Sequence, residues 1–179
     1  MLQFIANFLL FQGTWLALVI GAANNLLWPG ALLCLLFLAW ELYIANHRQG
    51  LLALVGFGLV GGVVVDGSYA TFGIVDYVLP AGPIAPWWIM GLWVIFSLTL
   101  TQSMAWMRDR PLVGSCLAGI AAPLSYAAGF KFGAITFPPG FWFSMAIAAV
   151  TWIPAIYLMV RLSIWLVPKT NAALQKKPA

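Results

Sequence analysis

Hydrophobic residues occupy long unbroken runs of this chain, and polar residues are concentrated in short stretches between those runs. A run of about 20 apolar residues is long enough for a helix to cross the hydrocarbon core of a bilayer. Both faces of these runs are apolar, whereas the strands of a membrane barrel alternate apolar and polar residues. The pattern therefore predicts an all-α, polytopic membrane protein, a bundle of six transmembrane helices near Phe4–Ala22, Trp28–Ala45, Leu51–Val75, Trp87–Met107, Leu112–Ala134 and Phe141–Val167.

The few charged residues distinguish the two ends of the predicted helices. Hydrophobic residues make up 64% of the chain and charged residues only 7%, whereas an ordinary soluble domain carries about 25% charged residues. Arg48, Arg108 and Arg110 lie in connections on one side, together with the lysines of the tail. Because cytoplasmic loops carry the excess of Lys and Arg, both termini are predicted to be cytoplasmic. Residues 1–168 form the predicted six-helix transmembrane domain, and residues 169–179 form a short basic cytoplasmic tail.

Asp66 is the only acid placed well inside an apolar run. A carboxylate there costs roughly 2.5–3.5 kcal/mol on insertion scales, so it needs hydrogen-bond partners, a water-filled cavity or a proton. Counted from the outer helix ends at 1.5 Å per residue, several polar side chains fall at one depth, roughly 13–17 Å down. Lys131 is the one cation in the outer half and lies about one turn above them. The predicted midplane binding layer contains Asp66, Gln12, Ser97, Ser125, Tyr126, Thr151 and Lys131. The alternative for each hydroxyl is a bond to its own helix carbonyl.

Glycines four residues apart occur in the third and fifth predicted helices. Small residues at this spacing let helix backbones approach closely. Gly58 and Gly62 in the third helix, and Gly129 and Gly133 in the fifth, are therefore predicted to serve helix packing, either with each other or with neighbouring helices. A weaker alternative is a self-association face, which leaves a homo-oligomer open.

The sequence contains no template for metal, nucleophile or phosphate chemistry. His47 is the only histidine, and the metalloprotease, serine-hydrolase and phosphate-loop motifs are missing. No cofactor, metal site or catalytic residue is therefore predicted. The net charge of +4 forms no basic face that would follow a phosphate backbone, so a nucleic-acid partner is not expected.

Several short patterns in the chain resemble one known family. They include Phe11-Gln12 in the first helix, Asp66 and Gly73 in the third, Ala85-Pro86-Trp87-Trp88 before the fourth and Ala122-Pro123-Leu124-Ser125-Tyr126 in the fifth. With these patterns the chain resembles domain-of-unknown-function family 2878, along nearly its whole length. The resemblance implies a bacterial inner-membrane protein with six helices, membrane lipids as partners and lipid-modifying enzymes as further partners. It implies no activity.

Three functions remain open at this point. The first is a non-enzymatic carrier or accessory factor for a lipid or small amphiphile, with Asp66 as the polar anchor. The second is a small intramembrane enzyme that modifies a lipid acyl or isoprenoid chain, with Asp66 and Tyr126 as acid and base. The third is a purely structural membrane subunit. A cavity beside Asp66 that opens sideways to lipid would favour the first two.

Overall fold

The computed structural model describes residues 1–80 and 84–168. The described chain is helical except for short connections and one pair of two-residue strands. Its α-helices are α1 Leu2–Ala23, α2 Trp28–Ile44, α3 Arg48–Thr71, α4 Trp87–Thr99, α5 Pro111–Lys131 and α6 Phe141–Leu166. The strands β1, Asp76–Tyr77, and β2, Ile135–Thr136, pair antiparallel, and a 3₁₀ helix covers Ala105–Arg108.

The all-helical prediction is confirmed in its coarser form. Six α-helices are present in the described residues, and α1, α3, α5 and α6 are long and apolar enough to cross a membrane. Helices α2 and α4 are apolar but have only 17 and 13 residues. The predicted tail, residues 169–179, lies outside the described residues.

Helix α3 ends earlier than the predicted residue Val75, because its C-terminus is closed by a glycine. Gly73 has φ +63°, a left-handed conformation that costs glycine little. The N–H of Ile74 then donates to the carbonyl of Tyr69 at 2.8 Å, which caps the last turn. Asp66 consequently lies five residues before Thr71, the last residue of α3, about 7.5 Å of helical rise. It is nearer the helix end than predicted.

Helices α1 and α5 end in the same way as α3. Gly133 has φ +80°, and the N–H of Ala134 donates to the carbonyl of Gly129 at 2.9 Å. In α1 the left-handed residue is Asn25, with φ 55°. The interpretation of Gly133 as a helix-packing residue is therefore wrong: it follows α5, and a Cβ there would meet nothing within 4 Å.

Helix α4 ends well before the predicted residue Met107, because its carbonyls find partners outside the helix. Asn7 donates through Nδ2 to the carbonyl of Leu98 at 3.3 Å and to Glu41 Oε1 at 2.8 Å. Its Oδ1 accepts from the N–H of Ser103 at 3.3 Å. A buried amide on α1 thus satisfies backbone groups that an uninterrupted α4 would have paired internally.

The bundle has two distinct ends. The hairpin end carries the β1–β2 pair, in which Tyr77 lies opposite Ile135. The arginine end carries Arg48, Arg108 and Arg110. There the guanidinium of Arg108 donates to the carbonyl of Ser163 at 3.2 Å and to that of Val167. Arg108 therefore places a positive charge on the last carbonyls of α6, a favourable position for a cation.

The helices pack as two groups. Helices α1–α4 form one group, and α5 lies along α6 in the other, which contacts the first through α3. The predicted close approach of Gly58 and Gly62 is made with α4: a Cβ at Gly58 would lie 2.1 Å from Ser97 Oγ, and one at Gly62 would lie 2.7 Å from Trp93 Cδ1. A Cβ at Gly129 would instead make ordinary contact with Ile135 at 3.4 Å.

Candidate functional site

The carboxylate of Asp66 is buried and held by three donors from three other parts of the chain. Its side chain is only 2% exposed. The hydroxyls of Tyr77 and Tyr126 donate to Oδ1 at 2.7 and 2.5 Å, and the indole N–H of Trp93 donates to Oδ2 at 2.6 Å. Both carboxyl oxygens thereby have hydrogen-bond partners, and all three partners are neutral side chains.

Tyr77 reaches Asp66 because the chain folds back over the bundle after α3. The cap at the end of α3 reverses the chain, and the pairing of β1 with β2 holds Tyr77 in place. Its ring packs edge-to-face on Trp88, with 6.1 Å between the ring centroids. Burial, together with the nearby Asp66 carboxylate, raises the pKa of the Tyr77 phenol well above its usual value. Tyr77 therefore keeps its proton and remains a donor.

Aromatic rings surround the Asp66 cluster. Trp93 stacks on Trp152 with 5.0 Å between the centroids, and Tyr126 meets Trp152 edge-to-face at 6.2 Å. Tyr69 lies 5.8 Å from Tyr126 and hydrogen-bonds to Thr151 through its hydroxyl. These contacts fix the donors around the carboxylate, so the cluster is a rigid wall.

A cavity of about 310 Å³ lies against this wall. Ligand pockets span about 300–1,000 Å³, so the volume is at the small end of that range. Aromatic and aliphatic side chains from α1, α4 and α5 form most of the lining. Among the described residues, no Lys, Arg or His lines the cavity, and its polar lining groups are Gln12, Asp66, Ser125, the tryptophan indoles and the phenols of Tyr77 and Tyr126.

The cavity opens through the side of the bundle. Four of its lining residues are exposed, and all four belong to α1 or α5: Phe8, Gln12, Ala121 and Ser125. We call these four residues the lateral mouth. Helices α1 and α5 are not a packed pair within the described chain, which leaves the gap between them.

The mouth is bounded toward both ends of the bundle. At the hairpin end, the rings of Trp15 and Phe132 meet edge-to-face with 6.5 Å between their centroids. At the arginine end, Asn7 of α1 binds Ser103, and the following 3₁₀ helix packs against α5. The gap is therefore a slot in the side wall.

The structure brings four of the predicted layer residues to this cavity. Asp66 and Tyr126 are hydrogen-bonded to each other, and Gln12 and Ser125 line the same space at the mouth. Gln12 belongs to the predicted layer but is not among the donors to Asp66, which are Tyr77, Trp93 and Tyr126.

The other three predicted layer residues lie away from the cavity. Ser97 donates to the carbonyl of Trp93 at 2.8 Å, and Thr151 donates to that of Ile147 at 2.8 Å. Both hydroxyls thus follow the alternative of bonding to their own helix. Lys131 is exposed and ends α5, so it does not pair with Asp66.

Sequence reasoning missed two of the three donors to Asp66. Trp93 carried a signal, because an indole N–H inside an apolar run needs an acceptor. Tyr77 carried no such signal, because it lies in a connection after α3 and approaches Asp66 only in the folded chain.

Comparison with known families identifies the family to which the chain belongs. A family model described as "Protein of unknown function (DUF2878)" matches residues 4–158. The chain belongs to this family. The family predicted from the short patterns is thus confirmed. No curated protein and no solved structure matches the chain. The matched region contains all of the cavity lining, from Phe8 to Trp152.

Proposed function

We propose that this DUF2878 protein holds the hydrocarbon chain of a lipid or small amphiphile, as a non-enzymatic carrier or accessory factor of the bacterial inner membrane. The observation that carries the proposal is the apolar cavity that opens through the lateral mouth. In a bilayer such a mouth faces acyl chains and not water. A ligand would therefore enter from the membrane.

The dimensions of the cavity suit one hydrocarbon chain of a ligand. Its lining on α1 runs from Phe8 to Val19, which is about 16 Å along the helix. Nine of the 21 residues that line its walls are aromatic. Because lipid tails are as apolar as the cavity, a chain gains little from leaving them. Shape and polar contacts must therefore supply the selectivity.

The proposed membrane arrangement has six spans with both termini in the cytoplasm. Helix α2 is about 25 Å long and α4 about 20 Å, and the irregular segment after Thr99 extends α4 toward the arginine end. The arginine end carries Arg48, Arg110 and Arg161 as exposed cations, which supports its cytoplasmic placement.

A reporter that is active only in the periplasm tests this orientation. Fused after Ala179 it should be inactive, and inserted after Asn25 it should be active, because Asn25 lies at the hairpin end. Enzyme activity and immunoblots of membranes would be measured together. Activity of the fusion after Ala179 would contradict the proposed topology.

Filling the mouth should block chain binding. Ala121 is exposed and lines the mouth, so Ala121→Phe places a ring in the gap without overpacking a core. We expect binding of tritiated dodecane to the protein in lipid nanodiscs to weaken at least about fivefold, the change that about 1 kcal/mol of steric overlap produces.

Ile120→Phe is the matched control for this test. Ile120 precedes Ala121 on α5, is 64% exposed and does not line the cavity. It should bind dodecane like the wild type. Equal binding by all three proteins, or no dodecane binding beyond that of empty nanodiscs, would refute the proposed function.

A second candidate is an enzyme that acts on the bound chain. It is favoured by the Asp66–Tyr126 pair at the cavity wall, a carboxylate and a phenol 2.5 Å apart. The two candidate functions predict different lipid compositions in a host from which the protein has been deleted. Loss of an enzyme changes the covalent structure of a lipid chain, whereas loss of a carrier changes only how lipid chains are distributed.

A further inference from the structure

We infer that the ligand carries an uncharged polar group, such as a hydroxyl or an ester, and that this group hydrogen-bonds to Gln12 while the chain lies in the cavity. This inference rests on the proposed function and adds the chemical class of the ligand. It also assigns Gln12 as the residue that recognises that class.

Gln12 is an unusual residue for its position. It lies ten residues into α1, about 15 Å from the helix start, and its exposed neighbours on that helix are apolar, Phe8, Leu9 and Leu16. Its amide has no hydrogen-bond partner among the described residues. An amide without partners in an apolar medium costs several kcal/mol. At this depth the side chain is too short to reach the membrane surface, so a polar partner has to come to it.

The other side of the mouth presents a second neutral polar group. Ser125 is exposed, and its hydroxyl donates to the carbonyl of Ala121 at 3.2 Å. The oxygen of that hydroxyl still has lone pairs to accept a further bond. A ligand group between α1 and α5 thus meets one amide and one hydroxyl, which together suit both a donor and an acceptor.

Charge argues against an ionised ligand group. Among the described residues, no cation lines the cavity, and its one acid is Asp66. An anionic group would find no countercharge and would face the Asp66 carboxylate. A cationic group would find only about one acceptor site left on Asp66, because three donors already occupy the others. A neutral polar group needs neither a countercharge nor a site on Asp66.

The test uses the full chain in lipid nanodiscs with four probes of equal chain length. The probes are tritiated dodecane, 1-dodecanol, dodecanoate and dodecylammonium. Binding to the wild type is compared with binding to Gln12→Leu, probe by probe, so that partitioning into the nanodisc lipid cancels. Replacing Gln12 by an apolar residue on a helix face surrounded by lipid does not threaten folding. Gln49→Leu, an exposed glutamine outside the cavity, is the control.

We expect Gln12→Leu to weaken dodecanol binding about 2–12-fold, the loss of one hydrogen bond of about 0.5–1.5 kcal/mol. Dodecane binding should not change, and Gln49→Leu should bind both probes normally. An equal effect on dodecane and dodecanol, or none on either, would overturn the inference while leaving chain binding intact. A larger effect on dodecanoate or dodecylammonium would also overturn it.

The mass of the particle, measured by light scattering, distinguishes the remaining occupant of the mouth. If Gln12→Leu leaves dodecanol binding unchanged and converts a dimer to a monomer, the partner of Gln12 is a second copy of the chain and the inference is wrong. If tritiated dodecane itself does not bind the wild type, the proposed function fails first.

Discussion

Replacing Asp66 with alanine should destabilise the protein by about 3–5 kcal/mol, because three buried donors would lose their acceptor. Each buried polar group left without a partner costs about 1–3 kcal/mol. Tyr77, Tyr126 and Trp93 all direct their donors at this one carboxylate. Their rings are held by aromatic neighbours, so they cannot easily turn to other acceptors.

The free energy of unfolding would be followed by circular dichroism during titration of detergent micelles with dodecyl sulfate. Asp66→Asn should cost less than Asp66→Ala, since its amide oxygen still accepts from the tyrosines while the Trp93 N–H faces a donor. Asp76→Ala, at an exposed acid in β1, is the control and should be near neutral. A stable Asp66→Ala protein would show that the carboxylate is not what holds these elements together.

The second large effect is expected for Gly62→Ala. A Cβ at this position would lie 2.7 Å from Trp93 Cδ1 and 3.0 Å from Met90 Cε. Trp93 is stacked on Trp152, so its ring has little room to retreat. Overpacking costs about 1–3 kcal/mol, and displacement of the indole would also weaken its bond to Asp66. We therefore expect a loss of about 2–4 kcal/mol of unfolding free energy.

Gly56→Ala provides the matched control on the same helix. A Cβ at Gly56 would meet nothing within 4 Å, and alanine favours a helix over glycine by about 1 kcal/mol. Gly56→Ala should therefore be neutral or stabilising, with unchanged tryptophan fluorescence. If the two variants are equally stable, α3 and α4 are not packed through Gly62 as the structure has them.

Much of the helical architecture could be predicted because membrane helices follow from local hydrophobicity. The predicted and observed ends of α2 and α6 differ by one residue or none. The errors at α3 and α4 have different physical origins. The end of α3 depends on the left-handed Gly73, a residue that the prediction placed inside the helix. The end of α4 depends on Asn7, which is distant in the sequence and meets it only in the folded bundle.

The candidate site could be predicted only in part. The cost of burying an acid singled out Asp66, and the depth comparison brought Tyr126 to it. Depth along a helix does not specify which way a side chain points, so Ser97 and Thr151 were placed in the same layer although each bonds to its own helix. The cavity was beyond prediction, because it arises from the absence of packing between two helices that are far apart in the chain.

The two helix groups are joined at both ends of the bundle, and these connections limit the cross-section of a ligand that could enter between the groups. At the hairpin end the strands pair and the N–H of Val78 donates to the carbonyl of Ala134 at 3.0 Å. At the opposite end Arg108, which follows α4, donates a hydrogen bond to the carbonyl of Ser163 in the last turn of α6. Because the two helix groups are joined at both ends of the bundle, the opening between them is confined to the middle, where the lateral mouth lies. We therefore expect the lateral mouth to admit a thin flexible hydrocarbon chain that lies lengthwise and to exclude a broad or branched one, so that a ligand is selected by cross-section before it is selected by chemistry.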